Sequence, residues 1–463
     1  MGDELWRLEA VEQARLVRDR VVTAREVTES HLRRIDEVNP LLNAVVRRDD
    51  DAARRRADDV DSGRVTGPLS GAIATSKTNT DHIPWPNDNG VKALRDNPSN
   101  GTAACISGME SAGLVFVGRT NTPAFSLRFH TGNDLHGETW NPHDRSITPG
   151  GSSGGAGVAV ATGMCAVAHG NDVGGSIRFP AFCNGILGLR PTMGRMVTGG
   201  TNPAGRTGTS SVMATHGPLA RTVRDLRAVY AAMTSQPDPG DPLWTAGPAA
   251  AELPVLPRRV ALVLDDGAPI DPCVRESLES AAHWLQMEGY EVEVSTIPRT
   301  GDLFRMWKRI AAADITMLEA MLPGIDDTSM TEVFTNWIPT FPSGSREAHA
   351  SAMKDRDELR TVWEGIFADT PLVLVPSLAS RSMAHAEDCS APDAMVSLEE
   401  RARWELNLPA LGFPAVAVPT GFDGTAPQGV QLVAPSFRED MLLDAAEAIE
   451  CQRGPVEAVD PRW

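Results

Sequence analysis

Apolar residues recur with helical spacing near the start of the chain. Thr23 lies three residues ahead of Glu26, the spacing of a capping box, and Asn39-Pro40 predicts where the helix ends. The apolar positions that follow the cap fall within one half of a helical circumference: Val27, Leu32, Ile35 and Val38. We therefore expect residues 1–60 to form N-terminal helices that pack on a larger body.

Short apolar runs bounded by turn residues predict strands along the rest of the chain. The run at 69–77 places Lys77 at the end of a strand. Further strands are predicted within 101–121, 156–169, 258–267, 291–297, 371–377, 415–421 and 428–436. Helices are predicted early in 101–121 and 156–169, and at 274–288 and 438–450. Mixed strands and helices indicate a single α/β body around a large sheet.

Composition narrows the class of protein. The chain has 463 residues and a net charge of −18, which argues against a broad basic face for nucleic acid. No apolar run reaches the ~18 residues of a membrane helix, and the acidic N-terminus does not resemble a secretory signal. The six cysteines are scattered, and no HExxH or GxxxxGK[ST] motif occurs. These features predict a reduced, cytoplasmic protein without a metal.

Two glycine-rich stretches carry the candidate chemistry. PGGSSGG at 149–155 contains Ser152 and Ser153, and NDVGGSIRFP at 171–180 contains Ser176. A serine hydroxyl needs a base, and the oxyanion that it creates needs donors. Glycines let the backbone bend so that successive N–H groups converge, and these would be Val173, Gly174, Gly175 and Ser176. Alone, GGSSGG is also compatible with a flexible linker or a phosphate cradle.

The base is the second question. The nearest histidines, His169 and His216, do not adjoin either serine, although triad partners are often distant in sequence. Only four of the 43 basic residues are lysines, and one of them, Lys77, ends a predicted strand. Burial would lower its pKa and make the neutral amine a usable base, which arginine could not be.

The chain resembles the amidase signature family of Ser-Ser-Lys amide hydrolases. Seven blocks occur in the family's order: ATSKTNT, GRTNTPAF, ETWNPHDRS, PGGSSGGAGVAVATG, HGNDVGGSIRFPAFCNGILGLRPTMGRM, HGPLARTVRDL and LPALGFPAVAVPTGFDGTAPQGVQLVA. The resemblance implies a twisted mixed sheet covered by helices on both faces. It also implies a signature core at 61–235, with 236–463 as the remainder of the same domain.

The resemblance assigns roles to individual residues. It implies that Ser176 is the nucleophile, that Ser152 bridges it to Lys77, and that Lys77 is the terminal base. The peptide between Gly151 and Ser152 would be cis. The residues implied to support this machinery are Gly151, Ser153, Asp172 and Arg178.

The family's variable helical segment corresponds to 300–365 and would border the substrate pocket. Candidate pocket residues are His130, Phe179, Trp307, Phe334 and Trp337. The chain departs from the family pattern at Thr78, Ala156, Asn171, Cys183 and Asn184. These departures leave the relay intact and leave the substrate open.

The expected function is hydrolysis of a non-peptide amide, anilide, lactam-derived oligomer or carbamate, without a metal or other cofactor. The substrate would be a small molecule, and the chain would be a monomer or homodimer that binds neither nucleic acid nor membrane. One alternative is a glutamine-dependent amidotransferase of the A type, although Phe179 stands where that protein usually has Gln. Another is a non-catalytic binding protein on the same fold.

Overall fold

The structure is a computed structural model that describes residues 4–196, 207–248, 252–321, 324 and 326–463. Its strands are β1 Val45–Arg47, β2 Ile73–Lys77, β3 Val115–Thr120, β4 Gly132–Asn133, β5 Gly137–Glu138, β6 Val167–Asp172, β7 Leu187–Arg190, β8 Thr215–Ala220, β9 Arg259–Leu262, β10 Glu291–Val294, β11 Leu372–Pro376, β12 Ala415–Asp423 and β13 Ala426–Val433. These bounds confirm the strands that the apolar runs predict.

Eleven of these strands form one sheet in the order β1-β3-β2-β6-β8-β7-β12-β13-β11-β9-β10, and β4 and β5 pair separately. β2 runs parallel to β3 and β6, whereas β8 runs antiparallel to β6 and β7. The sheet is therefore mixed, and it takes strands from all three predicted segments, 1–60, 61–235 and 236–463. The division of the chain into those segments stays a prediction.

The helices are α1 Ala10–Arg18, α2 Ala24–Leu42, α3 Asp50–Asp61, α4 Ala104–Ser111, α5 Gly154–Ala161, α6 Arg178–Asn184, α7 Gly208–Met213, α8 Val223–Met233, α9 Pro272–Met287, α10 Thr300–Met321, α11 Thr328–Trp337, α12 Arg346–Asp369, α13 Pro392–Arg401, α14 Arg403–Leu411 and α15 Glu439–Arg453. None of those in the described ranges is both long and apolar enough to cross a membrane.

Helices cover both faces of the sheet. Successive side chains of a strand point to opposite faces, and Ile73 and Ala74 of β2 accordingly belong to two different apolar clusters. Ile73 packs with residues of α2 and α5, and Ala74 packs with residues of α4 and α8. The α/β fold with helices on both faces is thus confirmed.

The N-terminal helix begins as predicted but ends later. Thr23 and Glu26 form the reciprocal capping box, and the four apolar residues of the predicted face are buried. The prediction that Asn39-Pro40 ends the helix is wrong, because α2 continues to Leu42. Pro40 removes only its own N–H from the last turn, and Asn43 then closes the helix in a left-handed conformation, donating to the Asn39 carbonyl at 2.7 Å.

Candidate active site

Lys77 is the last residue of β2 and is fully buried. Its Nζ lies 2.6 Å from Ser152 Oγ, 3.0 Å from Ser153 Oγ and 2.8 Å from Asn171 Oδ1. Burial lowers the pKa of Lys77 well below its ordinary value, and the negative charge of Asp172 only partly opposes that shift. The amine is therefore held by three polar side chains in an environment that favours its uncharged form.

The loop before α5 brings Ser152 to this amine. The Gly151–Ser152 peptide is cis, as the family resemblance implies. Gly151 has no room for a side chain, because a Cβ there would lie 2.4 Å from the Arg128 carbonyl oxygen. α5 starts at Gly154, directly after the two serines, and a Cβ on Gly154 would lie 2.4 Å from Thr131 Oγ1. The loop therefore packs closely against residues 128–131.

Ser176 follows the turn at the end of β6. Gly175 has φ of +97°, and a Cβ there would lie 2.7 Å from Glu405 Cβ, so both conformation and space require glycine. The Ser176 carbonyl accepts a hydrogen bond from Ser153 N–H at 3.2 Å, which ties the two serine loops together. Ser152 and Ser176 line one cavity. Within the described part of the chain the Ser176 hydroxyl has no hydrogen-bond partner, so its link to Ser152 stays a prediction.

Asp172 holds this turn in place. Its carboxylate accepts hydrogen bonds from Gly175 N–H at 2.9 Å and Ile177 N–H at 3.3 Å, and it pairs with Arg178 at 3.0 Å. Burial alone would raise the pKa of Asp172, but Arg178 and Arg190 together hold it below its ordinary value. Asp172 and Arg178 thus both contact the Ser176 turn, and their supporting role in catalysis stays a prediction.

The expected oxyanion hole needs one correction. The Gly175 N–H is already donated to Asp172, so it is not free to bind a substrate oxygen. The remaining predicted donors are Val173, Gly174 and Ser176, all of which line the cavity. Whether they bind an oxyanion stays a prediction.

The two histidines near the serines do not take the place of Lys77. His169 Nε2 and His216 Nδ1 lie 2.9 Å apart, and the backbone N–H of Lys77 donates to His169 Nδ1 at 3.4 Å. Burial lowers the pKa of His216 to about 3 and that of His169 well below its ordinary value. Both rings are therefore uncharged neighbours of the lysine strand, and neither contacts a serine hydroxyl in the described ranges.

The cavity beside Ser176 measures about 270 Å³ and is mainly apolar. Of the five predicted pocket residues, Trp307 and Trp337 line it. Other apolar and aromatic residues that line the wall include Phe125, Phe129, Ile315, Leu318, Phe341 and Leu406. Segment 300–365 contributes α10, α11 and the turn after α11, so it does border the cavity.

Three predicted pocket residues lie behind the wall. Phe179 is buried on α6 and packs edge-to-face on Phe129, with ring centroids 6.2 Å apart. Phe334 is buried beside Trp337, with ring centroids 6.0 Å apart. His130 does not line the cavity. Its Nε2 lies 2.6 Å from Glu138 Oε2, and its Nδ1 lies 2.9 Å from Thr148 Oγ1. Sequence spacing could place these residues near the pocket but could not tell a lining side chain from one that supports it.

Trp337 is fixed by a buried charged pair. Its indole Nε1 donates to Glu399 Oε1 at 2.7 Å, and Lys308 Nζ lies 2.7 Å from Glu399 Oε2. Trp307 stacks against Trp337 with ring centroids 6.4 Å apart. The two tryptophans therefore form a rigid wall.

Sequence reasoning missed Asn79 as a site residue and treated Asn171 only as a departure from the family. The two amides pair reciprocally, with Asn171 Nδ2 donating to Asn79 Oδ1 at 2.8 Å. Asn79 also donates to Ser126 Oγ at 2.8 Å, and all three residues line the cavity. The available signal was that Asn171 directly precedes Asp172, where the support of the Ser176 turn begins.

Two groups in the described ranges have ligand types suited to a metal. The donor atoms of Cys105, His169 and His216 lie within 4.8 Å of one another, as do those of the second group, His130, Glu138 and His385. In the second group His130 Nε2 is already hydrogen-bonded to Glu138. The expectation that the reaction needs no metal stays a prediction.

Comparison with known proteins identifies relatives of this chain. The family model named Amidase matches residues 26–443. An indoleacetamide hydrolase from Bradyrhizobium diazoefficiens is 37% identical, with 97% of this chain and 87% of that protein covered. The A-type component of a glutamyl-tRNA(Gln) amidotransferase from a Synechococcus species is 30% identical, with 93% and 94% covered. A 6-aminohexanoate cyclic dimer hydrolase solved with its substrate superimposes with a TM-score of 0.84 at 26% identity, covering 99% of both chains.

The family model spans most of the chain, and the fold matches a solved amide hydrolase over nearly its whole length. The predicted resemblance to the amidase signature family is confirmed. The chain belongs to the Amidase family and is a hydrolase of non-peptide carbon–nitrogen bonds.

Proposed function

We propose that this protein hydrolyses a small aromatic amide through an acyl-enzyme on Ser176, with Ser152 and Lys77 as the proton relay. The observation that carries the proposal is the position of Lys77 Nζ, buried and 2.6 Å from Ser152 Oγ beside the cavity that Ser176 lines. A buried amine in contact with a hydroxyl is suited to act as a general base near neutral pH.

The partners of Lys77 Nζ match the donors and lone pair of a neutral amine. Asn171 Oδ1 can only accept, and Ser153 Oγ, which donates weakly to the Asn171 carbonyl at 3.4 Å, can accept as well. These two acceptors use the two N–H bonds of a neutral amine. The lone pair is then left for the third partner, Ser152, whose proton it can receive.

The reaction follows from that starting point. Ser152 passes its proton to Lys77 and takes the proton of Ser176, whose Oγ forms a bond to the amide carbon. The oxyanion is held by the N–H groups of Val173, Gly174 and Ser176. The carbon–nitrogen bond breaks as the relay returns a proton to the leaving nitrogen, and water then cleaves the ester to release the acid and free Ser176.

The cavity favours an aromatic acyl group. Its wall is formed mainly by aromatic and aliphatic side chains, with the rigid pair Trp307 and Trp337 on one side. Flat aromatic groups bury their faces well against such side chains. The relative with 37% identity is an indoleacetamide hydrolase, which supports an arylacetamide with a free primary amide.

The glutamine-dependent amidotransferase is a second candidate, because the A-type component of one such enzyme is 30% identical over most of the chain. Glutamine carries a charged ammonium and a charged carboxylate, and both would need polar partners. The wall is mainly apolar, and its two charged residues already have partners: Arg128 pairs with Asp388 at 2.9 Å, and Asp314 accepts a hydrogen bond from Thr209 N–H at 2.8 Å. This arrangement argues against that substrate.

A release assay with purified protein tests the proposal. The panel contains indoleacetamide, an anilide, an aryl carbamate, the 6-aminohexanoate cyclic dimer and glutamine, with a Ser176→Ala variant as the matched control. We expect ammonia from the arylacetamide with wild-type protein only. Release from glutamine alone would favour the amidotransferase, and no turnover together with no labelling of Ser176 by a fluorophosphonate would favour a binding protein.

A further inference from the structure

Glu405, in the first turn of α14, is a buried carboxyl group beneath the turn that carries Ser176. The residue is fully buried, and a Cβ on Gly175 would lie 2.9 Å from Glu405 Oε2. Glu405 therefore packs directly on that turn. The next residue, Leu406, lines the cavity.

Four of the five N–H groups of Arg178 are directed at acceptors other than the Glu405 carboxyl group. Arg178 donates to both oxygens of Asp172 at 3.0 and 3.2 Å, to Gln431 Oε1 at 2.6 Å, and to the backbone carbonyl of Glu405 at 2.8 Å. The Glu405 carboxyl oxygen Oε2 lies 3.1 Å from Arg178 Nη1. Neither carboxyl oxygen accepts a hydrogen bond of good geometry from a described residue, although the Ser377 hydroxyl lies near enough to lower the pKa of Glu405 slightly. A carboxylate in this place would be buried and poorly solvated by the protein.

Two charged groups act directly on Glu405, namely Arg178 and Asp172, and two more, Arg190 and Lys77, lie near Asp172. Asp172 ends β6, Arg178 starts α6, Arg190 ends β7 and Lys77 ends β2. The remaining groups that face Glu405 are the thiol of Cys183, whose pKa is raised well above its ordinary value, and the Ser377 hydroxyl after β11. Burial raises the pKa of Glu405 to about 8, with Arg178 opposing and Asp172 adding to the shift.

We propose that Glu405, which packs against Gly175, is a positioning residue that supports the Ser176 turn in its uncharged form, and that a charge on its carboxyl group weakens catalysis. With Glu405 and Lys77 uncharged, Asp172 and the two arginines leave one net positive charge beneath the donors of the oxyanion hole. Ionised Glu405 would cancel that charge and repel the negative oxygen of the transition state. This inference rests on the proposed function.

The pH dependence of kcat for an arylacetamide tests the inference. Wild-type activity should rise as Lys77 loses its proton and then fall above about pH 8 as Glu405 ionises. Glu405→Gln has nearly the same shape and cannot ionise, so it should keep the rise and lose the fall. The ratio of variant to wild-type kcat should reach up to about tenfold near pH 9, because about nine tenths of Glu405 is then ionised.

The matched control is Glu450→Gln on α15. Burial also raises the pKa of Glu450, to about 7, but this residue contacts the Val223 N–H and does not line the cavity. Its profile should follow that of the wild type. If the Glu405→Gln variant is too unstable to assay, Glu405→Met, which is also uncharged and of similar length, carries the same expectation.

Parallel profiles for wild type and the Glu405 variant, including an equal loss at every pH, would show a structural role only and overturn the inference. The rate of Ser176 labelling by a fluorophosphonate should follow the same pH dependence without any amide substrate. Absent labelling of wild-type protein would instead count against the proposed function itself, so the two failures can be told apart.

Discussion

Asn171 holds Lys77 through its carbonyl oxygen, which lies 2.8 Å from Lys77 Nζ. The reciprocal amide pair with Asn79 fixes this orientation, because Asn171 Nδ2 donates to Asn79 Oδ1 at 2.8 Å and Asn79 Nδ2 donates back to Asn171 Oδ1 at 3.2 Å. A flip of Asn171 would lose both bonds and point an amino group at the amine. The amide pair thus keeps an acceptor, and not an amino group, facing Lys77 Nζ.

Replacing Lys77 with arginine should be nearly as damaging as replacing it with alanine. A guanidinium stays protonated and cannot accept the Ser152 proton, so we expect kcat to fall by about 10²- to 10⁴-fold in both variants. Steady-state hydrolysis of an arylacetamide measures this, and Lys354→Arg, a substitution on an exposed part of α12, should leave the rate unchanged. An active, folded Lys77→Arg variant would remove Lys77 from the reaction.

The adjacent serines provide a matched comparison. Ser152 and Ser153 both contact Lys77 Nζ, at 2.6 and 3.0 Å, but only Ser152 lines the cavity with Ser176. Ser152→Ala should therefore lower kcat by about 10²-fold or more, as expected for loss of a proton-transfer group, whereas Ser153→Ala should cost much less. Burst kinetics with an activated ester would locate the loss in the acylation step. Equal losses would indicate that Ser152 only helps to hold the lysine.

The sequence predicted the positions of the three candidate relay residues better than the residues that line the cavity. Lys77 ends a short apolar strand, and Ser152 and Ser176 each follow a glycine that has no room for a side chain. The structure brings Lys77 into contact with Ser152 and sets Ser176 in the cavity that Ser152 also lines. The aromatic wall depends on how α10 and α11 pack on the sheet, and helical spacing alone does not specify that packing. Phe334 and Trp337 illustrate this, because both lie on α11 but only Trp337 reaches the cavity.

The sequence analysis missed site residues whose contacts join segments that are far apart along the chain. Glu405 is far from Gly175 along the chain, and no local pattern indicates that a carboxyl group from α14 packs beneath the Ser176 turn. Asn79 was similarly missed, since its role depends on the approach of β6 to the end of β2. Pro40 shows the opposite error, because here a local signal predicted a helix end that the structure does not have. α2 continues through Pro40 to Leu42, and the Asn43 N–H still donates to the Asn39 carbonyl.

Gly175→Ala should reduce activity far more than an alanine at a glycine of similar conformation elsewhere. Its φ of +97° and the 2.7 Å approach to Glu405 Cβ would push the turn away from α14 and displace the donors beside Ser176. Loss of one such donor typically costs about 10²- to 10³-fold in rate. Gly267→Ala, with φ of +85° and open space around it, should cost only backbone strain of about 1–2 kcal/mol in stability and leave kcat intact. Similar kcat values for the two variants would contradict a catalytic role for the turn.

Trp337→Leu should weaken binding of aromatic amides selectively. The indole is held by Glu399 and stacks with Trp307, so its loss removes an aromatic contact of about 0.5–1.5 kcal/mol, or up to about tenfold in KM. Acetamide, which lacks a ring, should be affected less. Phe334→Leu is the matched control, because Phe334 packs behind Trp337 without lining the cavity. KM ratios measured for both amides with both variants would decide whether Trp337 selects for the ring.

The buried lysine should also leave a signature in stability. The pKa of Lys77 is well below its ordinary value of 10.5 in the folded protein, so between the two pKa values the unfolded chain binds a proton that the native protein does not. The free energy of unfolding of wild-type protein should therefore rise with pH across that window. Lys77→Met lacks the titrating group. The free energy of unfolding of the wild type minus that of the variant should therefore increase by up to about 1.4 kcal/mol per pH unit toward about pH 10.

Urea unfolding of both proteins from about pH 7 to about pH 10 measures this slope, provided that each transition is two-state. Lys354→Met is the control: Lys354 is largely exposed, so its removal should leave no slope of this kind. The absolute offset between wild type and Lys77→Met also contains the hydrogen bonds lost at Ser152, Ser153 and Asn171, so only its change with pH reports the charge on Lys77. A difference that stays constant with pH would mean that Lys77 is protonated in the folded protein, and then it could not act as the base without first losing that proton.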